Sequence, residues 1–178
     1  ALQSGDRSAF EKARRDHERA VHDLTSAARD LLREERGAAS DQMLSSIERS
    51  LRRLRTDVLD LIQLHSCSLE HLKKGDVVAA LERARERGWT RYIGYSGDGE
   101  AARYAMECGR FDTLQTSVSI ADQEALELTL PLAVKRKMGV IAKRPIANVA
   151  WRYRGKPAEP YYQAYWSRLK ALDYPFLR

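Results

Sequence analysis

Two hydrophobic patterns divide the chain near residue 38. From Phe10 to Leu32, apolar residues recur at spacings close to three and four, and charged residues crowd the positions between them. This period predicts one amphipathic helix, which Gly37 would end. We therefore expect a helix of unclear role over residues 1–37 and a second part over residues 38–178.

From Ser40 onward, helical and strand-like segments alternate. Ser40 is a suitable N-cap for a helix whose apolar residues recur every three or four positions. Mostly apolar, strand-like segments follow, separated by helical sequence, at residues 58–64, 91–95, 111–115 and 140–143. A repeated strand–helix–strand order is typical of parallel βαβ units. The sequence therefore predicts an α/β fold with about four parallel strands.

Polar residues stand where each predicted strand ends. Right-handed crossovers bring the C-terminal ends of parallel strands to one side of a sheet, and in barrels and open sheets that side carries the chemistry. The residues predicted to lie there are His65, Ser96, Gln115, Lys143 and Arg144. A single histidine is more often structural than catalytic, so position alone assigns His65 no role.

The last thirty residues have a different composition. Residues 149–178 contain eight of the aromatic residues of the chain, which total 3 Trp, 8 Tyr and 3 Phe. A helix is predicted over residues 161–172. Packing of these aromatic side chains against a core is the favoured interpretation, and an aromatic-lined ligand or partner surface is the alternative.

Composition and charge exclude several classes of protein. With 43% hydrophobic and 31% charged residues, the chain has globular composition, and no apolar run approaches the roughly 20 residues of a membrane helix. The net charge of +6 comes from interleaved charges and no nucleic-acid-binding motif accompanies it, so a solvated surface is favoured over an anion-binding patch. We expect neither membrane insertion nor nucleic-acid binding.

The cysteines and the N-terminal sequence indicate a compartment. Cys67 and Cys108 show neither metal-ligand nor redox-motif spacing, and the first residues do not resemble a signal peptide. A reduced, cytoplasmic protein is therefore expected.

Four segments, in the same order along the chain, carry motifs of one enzyme family. One contains Ser-Leu-Arg-Arg-Leu and then a strand ending in Leu-His, the second ends in Ile-Gly-Tyr-Ser, the third ends in Gln, and the fourth reads Gly-Val-Ile-Ala-Lys-Arg-Pro. They are Ser46–His65, Arg91–Ser96, Phe111–Gln115 and Gly139–Ala147. Together they resemble the central-to-late part of the aldo-keto reductase family.

This resemblance implies a TIM (β/α)₈ barrel that binds NADPH and reduces a small aldehyde or ketone by hydride transfer. The family uses a catalytic Asp, Tyr, Lys and His, of which only the His, which orients the carbonyl, has a match here, at His65. Ser96 and Gln115 match the residues that contact the nicotinamide carboxamide. Gly97 stands where the family has a second carboxamide contact, an Asn.

Two basic residues complete the sites that the resemblance assigns. Lys143 stands where the family often stacks an aromatic side chain on the nicotinamide, although some branches carry a basic residue. Arg144 follows and could reach a phosphate group. The resemblance thus assigns Ser96, Gln115, Lys143 and Arg144 to cofactor binding and no residue to a metal.

The resemblance covers only part of a barrel, which usually takes about 250 residues. Residues 38–178 are therefore expected to form a partial TIM barrel, preceded by the N-terminal amphipathic helix. Residues 1–40 contain no Tyr and nothing that matches the catalytic Asp, Tyr and Lys. The open strand edges would need cover from the N-terminal helix, a second copy, a partner chain or further sequence.

Three functions are compatible with these features. The first is NADPH-dependent aldo-keto reductase activity, with the chain truncated or incompletely represented. The alternative is a catalytically inactive half-barrel relative that acts as a binding or oligomerisation module. Nucleotide binding without turnover is a weaker third possibility.

Overall fold

A computed structural model describes residues 36–175, with side chains described from Ser40 onward. The helix predicted from Phe10 to Leu32 lies outside the described residues. The elements in chain order are α1 (Arg36–Leu54), β1 (Leu59–His65), α2 (Leu69–Lys74), α3 (Asp76–Glu86), β2 (Thr90–Ser96), α4 (Gly99–Glu107), β3 (Thr113–Ser117), α5 (Glu124–Leu128), α6 (Leu130–Lys135), β4 (Gly139–Lys143), a 3₁₀ segment (Ala147–Arg152) and α7 (Pro160–Leu172).

The four strands form one parallel sheet in the order β1-β2-β3-β4. Helices connect successive strands, so the sheet is built from βαβ units as the sequence pattern predicts. Within the described residues, β1 and β4 each pair on one edge only. The α/β fold class with four parallel strands is confirmed.

Three expectations about local structure are wrong. α1 includes both Gly37 and Ser40, so Gly37 ends no helix and Ser40 is no N-cap. The Ser40 hydroxyl instead accepts a hydrogen bond from Arg83 Nη1 at 3.1 Å. β3 begins and ends two residues later than expected, since pairing with β4 continues to Ser117. The division of the chain at residue 38 stays a prediction.

The larger hydrophobic core lies between the helices and one face of the sheet. Strand residues that alternate with the site residues point into it: Ile62, Leu64, Ile93, Tyr95 and Leu114 are at most 3% exposed. Met43, Leu44, Ile47 and Leu51 cover it from α1. Burial of these α1 side chains, at roughly 1.5–3 kcal/mol each, outweighs the local helix-end preferences of Gly37 and Ser40.

The opposite face of the sheet has only partial cover. One row across the four strands alternates large and small residues, Gln63, Gly94, Thr113 and Gly139. Tyr92 and Ile141 lie on the same face and are 55% and 41% exposed. This face would be the interior of a closed barrel.

The aromatic-rich segment builds a second, smaller cluster. Tyr165 and Leu169 of α7 are buried against three alanines from the β3–α5 connection and the 3₁₀ segment, Ala121, Ala147 and Ala150. Packing, the favoured interpretation of these aromatic residues, accounts for Tyr165. Among residues 36–175 we find no helix with the length and apolar content that crossing a membrane requires.

Candidate functional site

Three predicted site residues form one row across the sheet. His65 pairs with Ser96, and Ser96 pairs with Gln115. Paired residues of neighbouring strands point to the same face, so all three side chains lie on the barrel-interior face at the C-terminal ends of β1, β2 and β3. Ser96 is 2% exposed, whereas His65 and Gln115 are half-buried.

The hydroxyl of Ser96 is the most unusual atom of this row. It is buried and, among the described residues, has no hydrogen-bond partner. A buried hydroxyl without a partner costs about 1–3 kcal/mol, so native proteins keep few of them. Ser96 therefore holds a polar group that the described part of the fold does not use.

Lys143 lies farther toward the C-terminal ends of the strands. It pairs with Ser117, two residues beyond Gln115, and so points to the same face as the row. Its ammonium donates to Asp98 Oδ2 at 2.8 Å, and its side chain is only 16% exposed. The structure thus brings Lys143 to the same end of the sheet as His65, Ser96 and Gln115.

Asp98 joins the ends of three strands. It follows β2, and its Oδ1 accepts hydrogen bonds from the Thr116 hydroxyl at 2.8 Å and the Ser117 backbone N–H at 2.7 Å, both on β3. Its Oδ2 accepts from the Ser117 hydroxyl at 3.2 Å as well as from Lys143 of β4. Partial burial alone would raise the pKa of Asp98. The hydrogen bonds from Lys143, Ser117 and Thr116, together with the charge of Lys143, outweigh this effect and hold the pKa below its ordinary value of 3.8.

Arg144 leaves the sheet at the end of β4. Its φ of 56° turns the chain, and its Nη1 donates to the Ser117 hydroxyl at 3.3 Å. Partial burial works to lower the pKa of Arg144, but the nearby Tyr165 and Tyr161 outweigh it and raise the pKa. The guanidinium therefore stays positive beside Lys143 and Asp98.

A family model supplies the decisive comparison, because the aldo/keto reductase family model matches residues 32–170. The chain belongs to the aldo/keto reductase family. Among curated proteins, it is 28% identical over 104 residues to an uncharacterized oxidoreductase of Bacillus subtilis, covering 58% of this chain and 33% of that protein. It is 26% identical over 127 residues to L-galactose dehydrogenase of Arabidopsis thaliana, covering 67% of this chain and 40% of that protein.

Solved aldo-keto reductases share the fold. The holo form of an aldo-keto reductase from Bacillus halodurans matches with a TM-score of 0.57 and 25% identity, covering 67% of this chain and 41% of that one. A Klebsiella pneumoniae aldo-keto reductase in complex with NADP and acetate matches with a TM-score of 0.51 and 26% identity, covering 65% and 41%. The chain thus spans about a third to two fifths of the length of these relatives, and its four strands correspond to part of their TIM barrel.

Gly97, at the position of the expected Asn, has a structural cause. A Cβ at this position would lie 2.6 Å from the Tyr95 hydroxyl oxygen and 2.7 Å from its ring, so a side chain there would require Tyr95 to move. Tyr95 is held in place because its hydroxyl donates to the Cys67 carbonyl at 2.7 Å. Tyr95 thus occupies the space that a side chain at residue 97 would need.

The Cys67 thiol lies near the site, but its hydrogen bond goes to the carbonyl of the adjacent Ser68. Burial raises the pKa of the Cys67 thiol to about 11, which keeps it protonated and a poor nucleophile at neutral pH. Among the described residues, no group of three metal-ligating side chains occurs. The polar chemistry of this end of the sheet rests on hydroxyl, amide, imidazole and charged groups.

Sequence reasoning missed Asp98, Gln63 and Thr113. Asp98 precedes α4 and looks like an N-cap, yet its side chain makes no cap hydrogen bond. Gln63 and Thr113 lie in the neighbouring row of the sheet, two residues before His65 and Gln115 along their strands. Gln63 Nε2 and Thr113 Oγ1 are buried with no partner among the described residues. For Gln63 and Thr113, the available signal was a polar residue inside a strand.

Proposed function

We propose that the protein is an NADPH-dependent reductase of a small aldehyde or ketone, and that this chain supplies the nicotinamide-facing side of the site. The observation that carries the proposal is the His65–Ser96–Gln115 row on the barrel-interior face. The family resemblance assigns these three residues to the carbonyl and the carboxamide, and the row brings them to one end of one face. The alternative, an inactive binding or oligomerisation module, finds no support among the relatives.

The residues present fit a nicotinamide cofactor. The buried, unpaired Ser96 hydroxyl and the half-buried Gln115 amide offer a donor and an acceptor of the kind that a carboxamide requires. Two Klebsiella pneumoniae aldo-keto reductase structures, which share about a quarter of their residues with this chain, hold NADP or NADPH. When bound, this cofactor supplies the hydride.

Each residue then has a limited task. Ser96 and Gln115 orient the carboxamide, and His65 orients the substrate carbonyl by a hydrogen bond from its ring. The resemblance assigns proton donation to a tyrosine, and no tyrosine of residues 1–178 matches its position. Residues 1–178 therefore hold the cofactor and orient the substrate.

Two substitutions test the two parts of the proposal. Ser96→Ala removes a hydroxyl that the fold does not use, so we expect unchanged or slightly higher thermal stability together with weaker NADPH binding, by about tenfold for one hydrogen bond of roughly 1.5 kcal/mol. His65→Ala should keep NADPH binding but lose most of the reduction of a simple aldehyde. Binding is measured by fluorescence titration and turnover by the loss of NADPH absorbance.

Ser50→Ala is the matched control. Ser50 is also 2% exposed, but it lies in α1 and its hydroxyl donates to the Ser46 carbonyl at 3.0 Å. We expect it to lower stability slightly and leave NADPH binding unchanged. Equal NADPH affinity in the wild type and Ser96→Ala would contradict the assignment of Ser96, and turnover that survives His65→Ala would contradict that of His65.

A further inference from the structure

We propose that Asp98 is the residue that neutralises Lys143 beside the bound nicotinamide and thereby sets the relative affinity of the site for the oxidised and reduced cofactor. This inference rests on the proposed function. The family resemblance gives Asp98 no role, and Asp98 contributes through Lys143, so it is a positioning residue and not a catalytic one.

The contacts of Asp98 hold its carboxylate in one place. Both oxygens are engaged, Oδ1 by Thr116 and the Ser117 backbone N–H, and Oδ2 by Lys143 and the Ser117 hydroxyl. These partners come from β3 and β4, 18 to 45 residues farther along the chain than Asp98. Asp98 stands at the N-cap position of α4 without capping it, so these long-range bonds are its role in the structure.

The ion pair lies at the same end of the sheet as the predicted carboxamide contacts. Lys143 points to the same face as Gln115, and Gln115 pairs directly with Ser96. A bound nicotinamide ring held by Ser96 and Gln115 would therefore lie close to the Lys143 ammonium. Because only 16% of the Lys143 side chain is exposed, water screens its charge incompletely.

The charge of the nicotinamide ring differs between its two redox states. The oxidised ring carries a positive charge and the reduced ring is neutral. An unbalanced ammonium beside the ring would disfavour the oxidised form, whereas an unbalanced carboxylate would favour it. The Asp98 carboxylate offsets the Lys143 charge and so brings the affinities for the two forms closer together, whereas Arg144 adds the same positive charge in the wild type and in every variant.

Charge-changing variants make this role measurable as the ratio of the dissociation constants of NADP⁺ and NADPH. Asp98→Asn leaves Lys143 unbalanced and should raise the ratio by roughly three- to tenfold, as expected for a unit charge several ångströms away in a partly solvated site. Lys143→Met leaves Asp98 unbalanced and should lower the ratio. The double variant has a neutral pair and should return to the ratio of the wild type.

Asp122→Asn is the matched control. Asp122 forms an ion pair of similar length, Oδ2 to Arg168 Nη1 at 3.0 Å, and its partner belongs to α7 and not to the sheet. This variant should leave the ratio unchanged. If Asp98→Asn fails to fold, Lys143→Met is compared with Asp122→Asn. A lower ratio in Lys143→Met with an unchanged ratio in Asp122→Asn supports the charge effect, and an unchanged ratio in both variants contradicts it.

A cofactor-free measurement separates the failure of this inference from the failure of the proposed function. Acetylation of Lys143, followed by mass spectrometry, should be faster in Asp98→Asn, because the ammonium loses its carboxylate partner. If the wild-type protein binds neither cofactor form, the proposed function and the role of the pair both fail. Two results would overturn only the role of the pair in a protein that binds both cofactor forms. One is the same ratio in all variants, and the other is an equal rise in Asp98→Asn and in the double variant.

Discussion

At the scale of single residues, Gly94 shows how closely the row beneath Ser96 is packed. A Cβ at Gly94 would lie 2.1 Å from Thr113 Oγ1 and 3.1 Å from Gln63 Cγ. The strands can approach at this level only because the central one carries no side chain. Gly94 thereby permits close packing of the strands two residues before His65, Ser96 and Gln115.

Gly94→Ala should therefore destabilise the fold by about 1–3 kcal/mol, the usual cost of overpacking a tight region. Urea unfolding followed by circular dichroism measures the change. Thr113→Ala should recover part of the loss, since it removes the closest atom. Gly155→Ala is the control because nothing lies within 4 Å of the added Cβ. Equal stability of Gly94→Ala and Gly155→Ala would show that the row is looser than its geometry indicates.

At the scale of elements, Asp98 ties the end of β2 to β3 and β4, and this link depends on pH. Its pKa is held below 3.8 in the folded protein, so its stabilising contribution is complete above the unfolded value and is lost as the pH falls through the folded value. Asp98→Asn should therefore be clearly less stable than the wild type at pH 7, and the difference should shrink below about pH 3.8.

Urea unfolding at pH 7 and at pH 3 tests this dependence. The control is Asp60→Asn, because the Asp60–Arg91 pair joins β1 to β2 at 2.8 Å but its side chains are 84% and 62% exposed. Exposed pairs contribute about 0–1 kcal/mol, so this variant should differ little from the wild type at either pH. A stability difference for Asp98→Asn that is as large at pH 3 as at pH 7 would rule out the carboxylate as its source.

Local sequence patterns predicted the elements better than the links between them. The alternation of apolar strands and glycine-ended helices indicated the parallel sheet, and strand ends indicated His65, Ser96 and Gln115, because these features depend on neighbouring residues. The contacts of Asp98 connect residues 18 to 45 positions apart, which no local period reveals. The ends of β3 were shifted for the same reason, since pairing with β4 decides them.

At the scale of the whole molecule, apolar surface remains on the sheet. Tyr92 and Ile141 on the interior face are 55% and 41% exposed, and Val140 on the outer face of β4 is 43% exposed. The chain also spans only a third to two fifths of the relatives it matches. A second copy or a partner chain that covers this surface stays a prediction, as does a cytoplasmic location.

The two hydrophobic clusters should differ in stability because they differ in size. The larger one joins α1 to the sheet and its flanking helices, whereas the smaller one holds α7 to the 3₁₀ segment through five buried residues. Leu169→Ala removes one of these five and leaves a cavity, which should open the small cluster locally. We expect faster hydrogen exchange over residues 147–172 and unchanged exchange in β1, β2 and β3.

Leu172→Ala is the control, since Leu172 lies on the same helix but is 47% exposed and should change exchange little. Arg144 gives the experiment a functional readout, because α7 also carries Tyr161 and Tyr165, which lie beside its guanidinium. Local opening of α7 should therefore weaken NADPH binding if Arg144 contacts a phosphate. Faster exchange across β1, β2 and β3 in Leu169→Ala would show instead that both clusters unfold as one unit, and that the cofactor side of the site is only as stable as α7.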